Sequence, residues 1–401
     1  MVRPGEAQQG DRARLDDRAY LDHAATTVLR PAAREAYLEA SLVRGNPSSV
    51  HTSGRRARAV LDESLERIAG LLGVPRSWLI LTSGGTEADN LAIRAVALGA
   101  RAAEGKRRAV AVAATDHPAV LATARSLEDT DLRLLPVDGN GRLVPEAVAE
   151  AVADGTVSVA SAALANNETG AVQDIAALAA LAHERGTLVH TDAVQGIGHV
   201  PLPSWEDVDL MSLSGHKIGA PVGVGALVAK PEVPMAVTST GGGQQRGVRS
   251  GTLDAAHAAS FAAALGELMG QREQENAHCR ALASRLREGI RAVDPTARLT
   301  LEESAPQAGH IVHVVFPGAD PDSLLFLLDE RGVDCSAGSA CSAGVTQASP
   351  VLAAMGISDA DARGALRLSL GWNSTEHEVD MLLRALPEAL TRARAVGSLF
   401  G

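Results

Sequence analysis

The amino-acid sequence predicts an α/β fold, a mostly parallel sheet covered by helices on both faces, followed by a smaller α+β unit. Three observations carry this reading. From about residue 57 onward short apolar runs alternate with alanine-rich stretches, the rhythm of strands and helices in a sheet buried on both sides. Several runs stop abruptly in a polar cluster, "TSGGTE", "TDHP", "NNETG", "TDAVQ" and "SGHK", and in open α/β sheets such strand ends converge on a ligand pocket. After about residue 252 the rhythm breaks, and one long helical stretch runs to about Ala292.

Taken in order, the first residues, "MVRPGEAQQGDRARLDDRAY", are polar and charged without the apolar centre of a signal peptide, which predicts a flexible tail over 1–18 on a cytoplasmic protein. The strands expected next are "WLILTSGG", "RAVAVAATDHP", "RLLPVD", "VSVASAALANNETG", "TLVHTDAVQ", "LMSLSGHK" and "GALVAK", with helices such as "EADNLAIRAVALGARAAE" and "DIAALAALAHERG" between them. Beyond the long helix, "HIVHVVF" reads as a strand and "DSLLFLLDERG" as a helix. The expected division is a large unit over 28–270 and a small one made of 19–27 and 271–401.

Composition excludes several classes of function. Hydrophobic residues make up 46% of the 401, enough for a large core, yet no apolar run approaches the roughly 18 residues that span a bilayer. The net charge of -11 opposes non-specific binding to nucleic acid, which depends on neutralising phosphates. Cys279, Cys335 and Cys341 fit neither a disulfide framework nor paired metal-ligand spacing, so reduced thiols and no metal are expected.

The residues that carry chemistry gather around Lys217 in "LMSLSGHKIGAPVGVGALV". A lone loop lysine is ordinarily solvated; its company here gives it another reading. In "LTSGGTEADNLAI" a strand, a Ser-Gly-Gly-Thr turn and a helix follow one another. Gly84 and Gly85 let the backbone approach a ligand, and the Thr86 hydroxyl with the first helical amides can donate to an anion. The plain alternative is a βα turn with Thr86 as N-cap. The pattern is neither GxxxxGK[ST] nor GxGxxG, so a nucleotide is not indicated. Asp192 ends a buried strand, where a carboxylate is costly unless paired. The protonated ring nitrogen of pyridoxal phosphate would be such a partner, and enzymes using that cofactor hold its aldehyde on a lysine. His117 in "ATDHPAV" fits a ring-stacking proton shuttle, or else a core histidine bonded to backbone. Asn167 and Gln195 fit hydrogen bonds to the ring hydroxyl, although Asn in such a stretch is also an ordinary turn residue. Cys341, in "CSAGSACSAG", has little to pack against among Gly, Ala and Ser.

Nearly the whole chain resembles the NifS/IscS-type cysteine desulfurases of the class V aminotransferase family. The stretches that carry the likeness are "YLDHAATT", "GNPSSVHTSGRRA", "LTSGGTEADN", "NNETGAVQD", "HTDAVQ", "SGHKIGAPVGVGAL", "GGGQQRGVRSGT", "GSACSAG" and "LRLSLG". The resemblance implies an aspartate aminotransferase-like fold, fold type I of the pyridoxal phosphate enzymes, with the cofactor on Lys217, its ring nitrogen on Asp192 and His117 against the ring. It implies Gly85, Thr86, Ser214 and His216 on the phosphate side, joined by Thr252 from the second subunit of a homodimer. Arg367, with Asn46, would grip the substrate carboxylate as a guanidinium fork does. Cys341 would take the sulfur of L-cysteine as a persulfide, release L-alanine, and pass the sulfur to an iron–sulfur scaffold or a thiolation enzyme. A transaminase or selenocysteine lyase would share Lys217, Asp192 and Arg367 without needing Cys341, and a non-enzymatic paralogue would have lost the lysine or the cysteine. Two departures stand out. His23 replaces the more usual Asn, which suggests an extra titratable group near the active-site entrance, and the short stretch after "LRLSLGWNS", ending in "RARAVGSLFG", suggests that the longer tail of some relatives is missing.

Overall fold

A computed structural model describes residues 17–337 and 349–398. Residues 1–16 of the expected tail, and Cys341, lie outside the described residues. The strands in chain order are β1 (Ala19–Tyr20), β2 (Leu79–Thr82), β3 (Ala109–Ala113), β4 (Asp131–Leu135), β5 (Val157–Ala163), β6 (Leu188–Asp192), β7 (Leu210–Ser214), β8 (Gly225–Ala229), β9 (Arg298–Leu299), β10 (Ile311–Val315), β11 (Val333–Asp334) and β12 (Ala365–Ser369).

All seven apolar runs of the first part become strands of one sheet, ordered β2-β8-β7-β6-β5-β3-β4. β8 runs antiparallel to both its neighbours and the other pairs are parallel. Since β8 alone is reversed, β2, β3, β5, β6 and β7 all end on the same edge. That edge therefore collects every polar cluster noted above.

Alternation along the strands explains why both faces are covered. Leu79, Leu81, Ala111, Met211 and Val228 face a core shared with the helices Thr52–Leu72 and Ile175–His183 and with Phe261, Leu265 and Leu268 of the helix Ala255–Val293. Ile80, Val110, Val112, Leu210 and Leu227 face the opposite core, against Leu91, Ile93, Val96 and Val120. Each of the larger side chains, Val, Leu, Ile, Met and Phe, contributes about 1.5–3 kcal/mol on burial. The expected helix "EADNLAIRAVALGARAAE" forms as one continuous run, but its turn Leu91–Ala95 widens to a π-helix, a feature common near functional sites.

The long helix Ala255–Val293 enters a second core with its far half. Cys279, Leu282, Leu286 and Ile290 pack there with β10 and β12, with Leu324 and Leu328 of the helix Pro321–Glu330, and with Val379, Leu382 and Leu386 of the helix Glu376–Gly397. A three-stranded sheet, β12-β10-β9, belongs to this region. β1 crosses back to it and pairs in parallel with β11, so residues near the amino terminus are fixed against the last part of the chain. Among the described residues no helix is long and apolar enough to cross a membrane, and no group of three His, Cys, Asp or Glu is placed to hold a metal.

Candidate active site

At the carboxyl edge of the large sheet lies a cavity of about 360 Å³, within the usual size range of small-molecule sites. Gly85, Thr86 and Ser214 form one end. The turn after β2 closes because Thr82 Oγ1 donates to Gly84 O at 2.9 Å. It can also press against β8, since a Cβ on Gly225 would lie 2.7 Å from Gly84 Cα. Ser214, the last residue of β7, stands opposite Gly85, whose own Cβ would come within 3.4 Å of the Ser214 Cβ. His216, two residues on, lines the same cavity with Nδ1 3.2 Å from Thr26 Oγ1. Burial holds its imidazole down to about 4, so it is neutral near pH 7.

Asp192, His117 and Lys217 form the middle. Asp192 is buried at the end of β6, and its Oδ1 accepts from Val194 N at 2.8 Å. Burial raises its pKa, while His117 and Lys217 oppose that rise. A buried carboxylate of this kind is stabilised by a cationic partner. His117 caps the helix Pro118–Arg125: its Nδ1 accepts from Ala119 N at 3.1 Å. This backbone bond leaves Nε2 as the nitrogen that carries a proton. Lys217 sits on the short turn after β7, and its Nζ donates to Ala24 O and, at 2.8 Å, to Ala25 O. Burial, reinforced by Arg367, brings the amine down to about 8.

Arg367 of β12 closes the far end, and Asn167 and Gln195 line the walls. Arg367 is 4% exposed; it pairs with Asp22 Oδ1 at 2.6 Å and donates to Asn167 O at 3.0 Å, while its buried Nε has no partner among the described residues. The chain on both sides of residues 338–348 meets this region. Ser336 lines the cavity, and Ser349 Oγ donates at 2.5 Å to Glu168, the neighbour of Asn167. Two expected residues are not brought to this cavity. Asn46 is exposed and accepts from Ser48 N at 2.9 Å in its own turn, and Thr252 is exposed on its own chain. His23 is not at the entrance either: it is buried, with Nδ1 2.7 Å from Thr27 Oγ1 and Nε2 3.2 Å from Ser374 Oγ.

The aminotransferase class-V family model matches residues 19–382. The chain belongs to the class V aminotransferase family. It is similar to an IscS-like cysteine desulfurase of Mycobacterium tuberculosis, 43% identical with 94% of this chain and 97% of the relative covered. Among solved structures it is similar to a NifS-like protein at 31% identity and a TM-score of 0.86, covering 94% of this chain and 100% of the other. It is also similar to SspA, solved in complex with cysteine, at 27% identity and a TM-score of 0.75, covering 89% and 100%. Class V aminotransferases and their cysteine desulfurases depend on pyridoxal phosphate. The cavity of this member fits that group by its donor set. It offers an anion cradle of glycine backbone and hydroxyls, a buried carboxylate in need of a cation, and an amine made nucleophilic by burial.

Three features of this aminotransferase-family site escaped the sequence reading. Asp89 is 1% exposed and lines the cavity, and among the described residues its Oδ1 has no hydrogen-bond partner, with His190 Nε2 3.7 Å away. Burial first, and Asp192 second, push its pKa well up. Its place three and four residues before the apolar Ala92 and Ile93 was a legible sign that it faces inward. The Ala24 and Ala25 carbonyls and the Asp22 carboxylate had no such sign, because they arrive from a distant part of the chain.

Proposed function

We infer that the chain is a cysteine desulfurase, converting L-cysteine to L-alanine and passing the sulfur to Cys341. The observation that carries this reading is the single cavity that joins Lys217, Asp192 and Arg367, with Ser336 on its wall and Ser349 bonded to Glu168 beside Asn167. Bound pyridoxal phosphate supplies the electron sink for the charge left at the substrate Cα. Asp192 would hold its ring nitrogen, Gly85, Thr86, Ser214 and His216 its phosphate, Asn167 and Gln195 its ring hydroxyl, and His117 would lie against the ring. Lys217 Nζ takes the Cα proton, a task suited to an amine lowered to about 8. His117 Nε2 moves a proton on the cavity side. Arg367, its Nη2 anchored by Asp22, aims its remaining donors at the substrate carboxylate.

The Cys341 thiolate attacks the substrate sulfur. A sulfur–sulfur bond forms as the carbon–sulfur bond breaks, the electron pair stays with Cβ, and a proton added there together with the return of the Cα proton completes L-alanine. Ser336, on the cavity wall, lies five residues before Cys341, so the thiol is tethered to that wall by a chain of at most ~3.6 Å per residue. Cys335 is unsuited to this role. It packs against the second core, and burial raises its thiol to about 12.

The dimer belongs to the same reading. Thr252 is exposed in its own chain, and Leu42, Val50 and Val222 are 85%, 87% and 73% exposed, apolar surface that a second copy would cover. The division into units over 28–270 and over 19–27 with 271–401 is proposed on the same footing, as is a cytoplasmic enzyme that hands sulfur to an iron–sulfur scaffold or a thiolation enzyme. The test is incubation of the purified protein with L-cysteine and a reductant. Alanine and sulfide in equal amounts support the reading; a keto acid in place of alanine would identify a transaminase.

A further inference from the structure

Behind the active site lies a second chamber of about 20 Å³. Gln195 and Lys217 line both spaces and so form the wall between them. His199 and His310 line the chamber too, their rings stacked with centroids 3.5 Å apart and planes 18° from parallel.

The hydrogen bonds around His310 fix where its proton sits. Gln195 Nε2 donates to Ala24 O at 2.7 Å, the oxygen that also accepts from Lys217. Gln195 Oε1 then faces His310 Nε2 at 3.3 Å. An amide oxygen only accepts, so His310 carries its proton on Nε2 and its Nδ1 is bare. His199 Nδ1 and His310 Nδ1 are both buried without a partner among the described residues. The bare His310 Nδ1 needs a donor, and a space of this size has room for one water molecule that donates to it and also meets His199 Nδ1.

We propose that His310 is a positioning residue: its Nε2–H holds the oxygen of Gln195 so that the amide NH₂ faces the larger cavity, and a buried water shared with His199 keeps His310 in that tautomer. The inference rests on the reading above, in which Gln195 meets the ring hydroxyl of pyridoxal phosphate. One amide hydrogen is used by Ala24 O and the other is left for the cofactor. Without a donor at position 310 the Gln195 oxygen would be buried and unsatisfied, and the amide would turn to find one.

The test compares His310→Leu, His310→Gln and Gln195→Leu holoenzymes by their visible absorption and their dissociation constant for pyridoxal phosphate. Loss of one cofactor hydrogen bond raises that constant about tenfold. His310→Leu and Gln195→Leu are expected to show this rise with the same displaced absorption band, and the double variant to add nothing further. His310→Gln, which keeps a donor, is expected to restore the band. Nitrogen NMR of the unaltered, histidine-labelled holoenzyme is expected to show His310 protonated at Nε2 and not at Nδ1, a measurement that does not depend on any variant folding. A proton on Nδ1, or a His310→Leu protein with the normal band and affinity, overturns the inference. Gln195→Leu without effect also overturns it; if borohydride still fixes the cofactor to Lys217 in that variant, the proposed function stands on its own.

Discussion

At the scale of single residues, the decisive physical effect is desolvation. An ordinary lysine amine loses its proton near pH 10.4, whereas Lys217 is brought down to about 8 by burial and by Arg367. Only the neutral amine attacks an aldehyde. Attachment of pyridoxal phosphate to the apoprotein, trapped with borohydride, is therefore expected to accelerate as pH rises and to level off above about 8. The label should map to Lys217, and a rate still climbing at pH 10 would mean that the amine is not desolvated. Burial acts in the opposite direction on thiols. Cys335→Ser is expected to keep most activity, with about 1–3 kcal/mol of lost stability from a hydroxyl in an apolar site. Cys341→Ser should bind the cofactor normally yet make no alanine. Mass spectrometry after brief exposure to L-cysteine decides between them by locating the added sulfur.

At the scale of elements, the site depends on how closely two backbones can approach. β8 runs against the turn that follows β2, and a Cβ on Gly225 would sit 2.5 Å from Leu213 O and 2.7 Å from Gly84 Cα. Both are backbone atoms, which cannot swing aside as a side chain can. Gly225→Ala is expected to cost about 1–3 kcal/mol and, by displacing the Gly84–Gly85 turn, to weaken pyridoxal phosphate binding more than a remote substitution of equal cost. Thermal melting with and without the cofactor separates the two effects. An equal shift of both midpoints would show that the turn had not moved. The same elements show how legible the site was. The polar ends of β2, β3, β5, β6 and β7 were plain in the sequence because each stops an apolar run. The reversal of β8 was not plain, because "GALVAK" looks alike in either direction.

For the whole molecule the question is whether one chain completes its own site. Thr252 and Asn46 are exposed away from the cavity of their own chain. The segment that holds Thr252 is pinned at the sheet edge, where Gln245 bonds Leu81 N and O at 2.6 and 2.7 Å and Arg249 pairs with Glu87 at 2.9 Å. Mixing inactive Lys217→Ala chains with inactive Thr252→Ala chains is expected to restore part of the activity, since a heterodimer then contains one intact site. No recovery, with heterodimers verified by native mass spectrometry, would show that the sites are not shared.

The sequence by itself determined the α/β class, the strands of the large sheet and the pocket residues that end them, because alternation and the abrupt change from apolar to polar are local properties. It also determined the family, through short motifs kept in one order along the chain. The tertiary structure alone decided what lies around those residues. Ala24 and Ala25 reach Lys217, and Asp22 reaches Arg367, only because β1 crosses to β11 and β12. His199 and His310 meet face to face only because two separate segments pack behind Gln195. Contacts of that kind are set by the shape of the closed core, and a shape made by residues far apart in the chain leaves no period or spacing in the sequence to read.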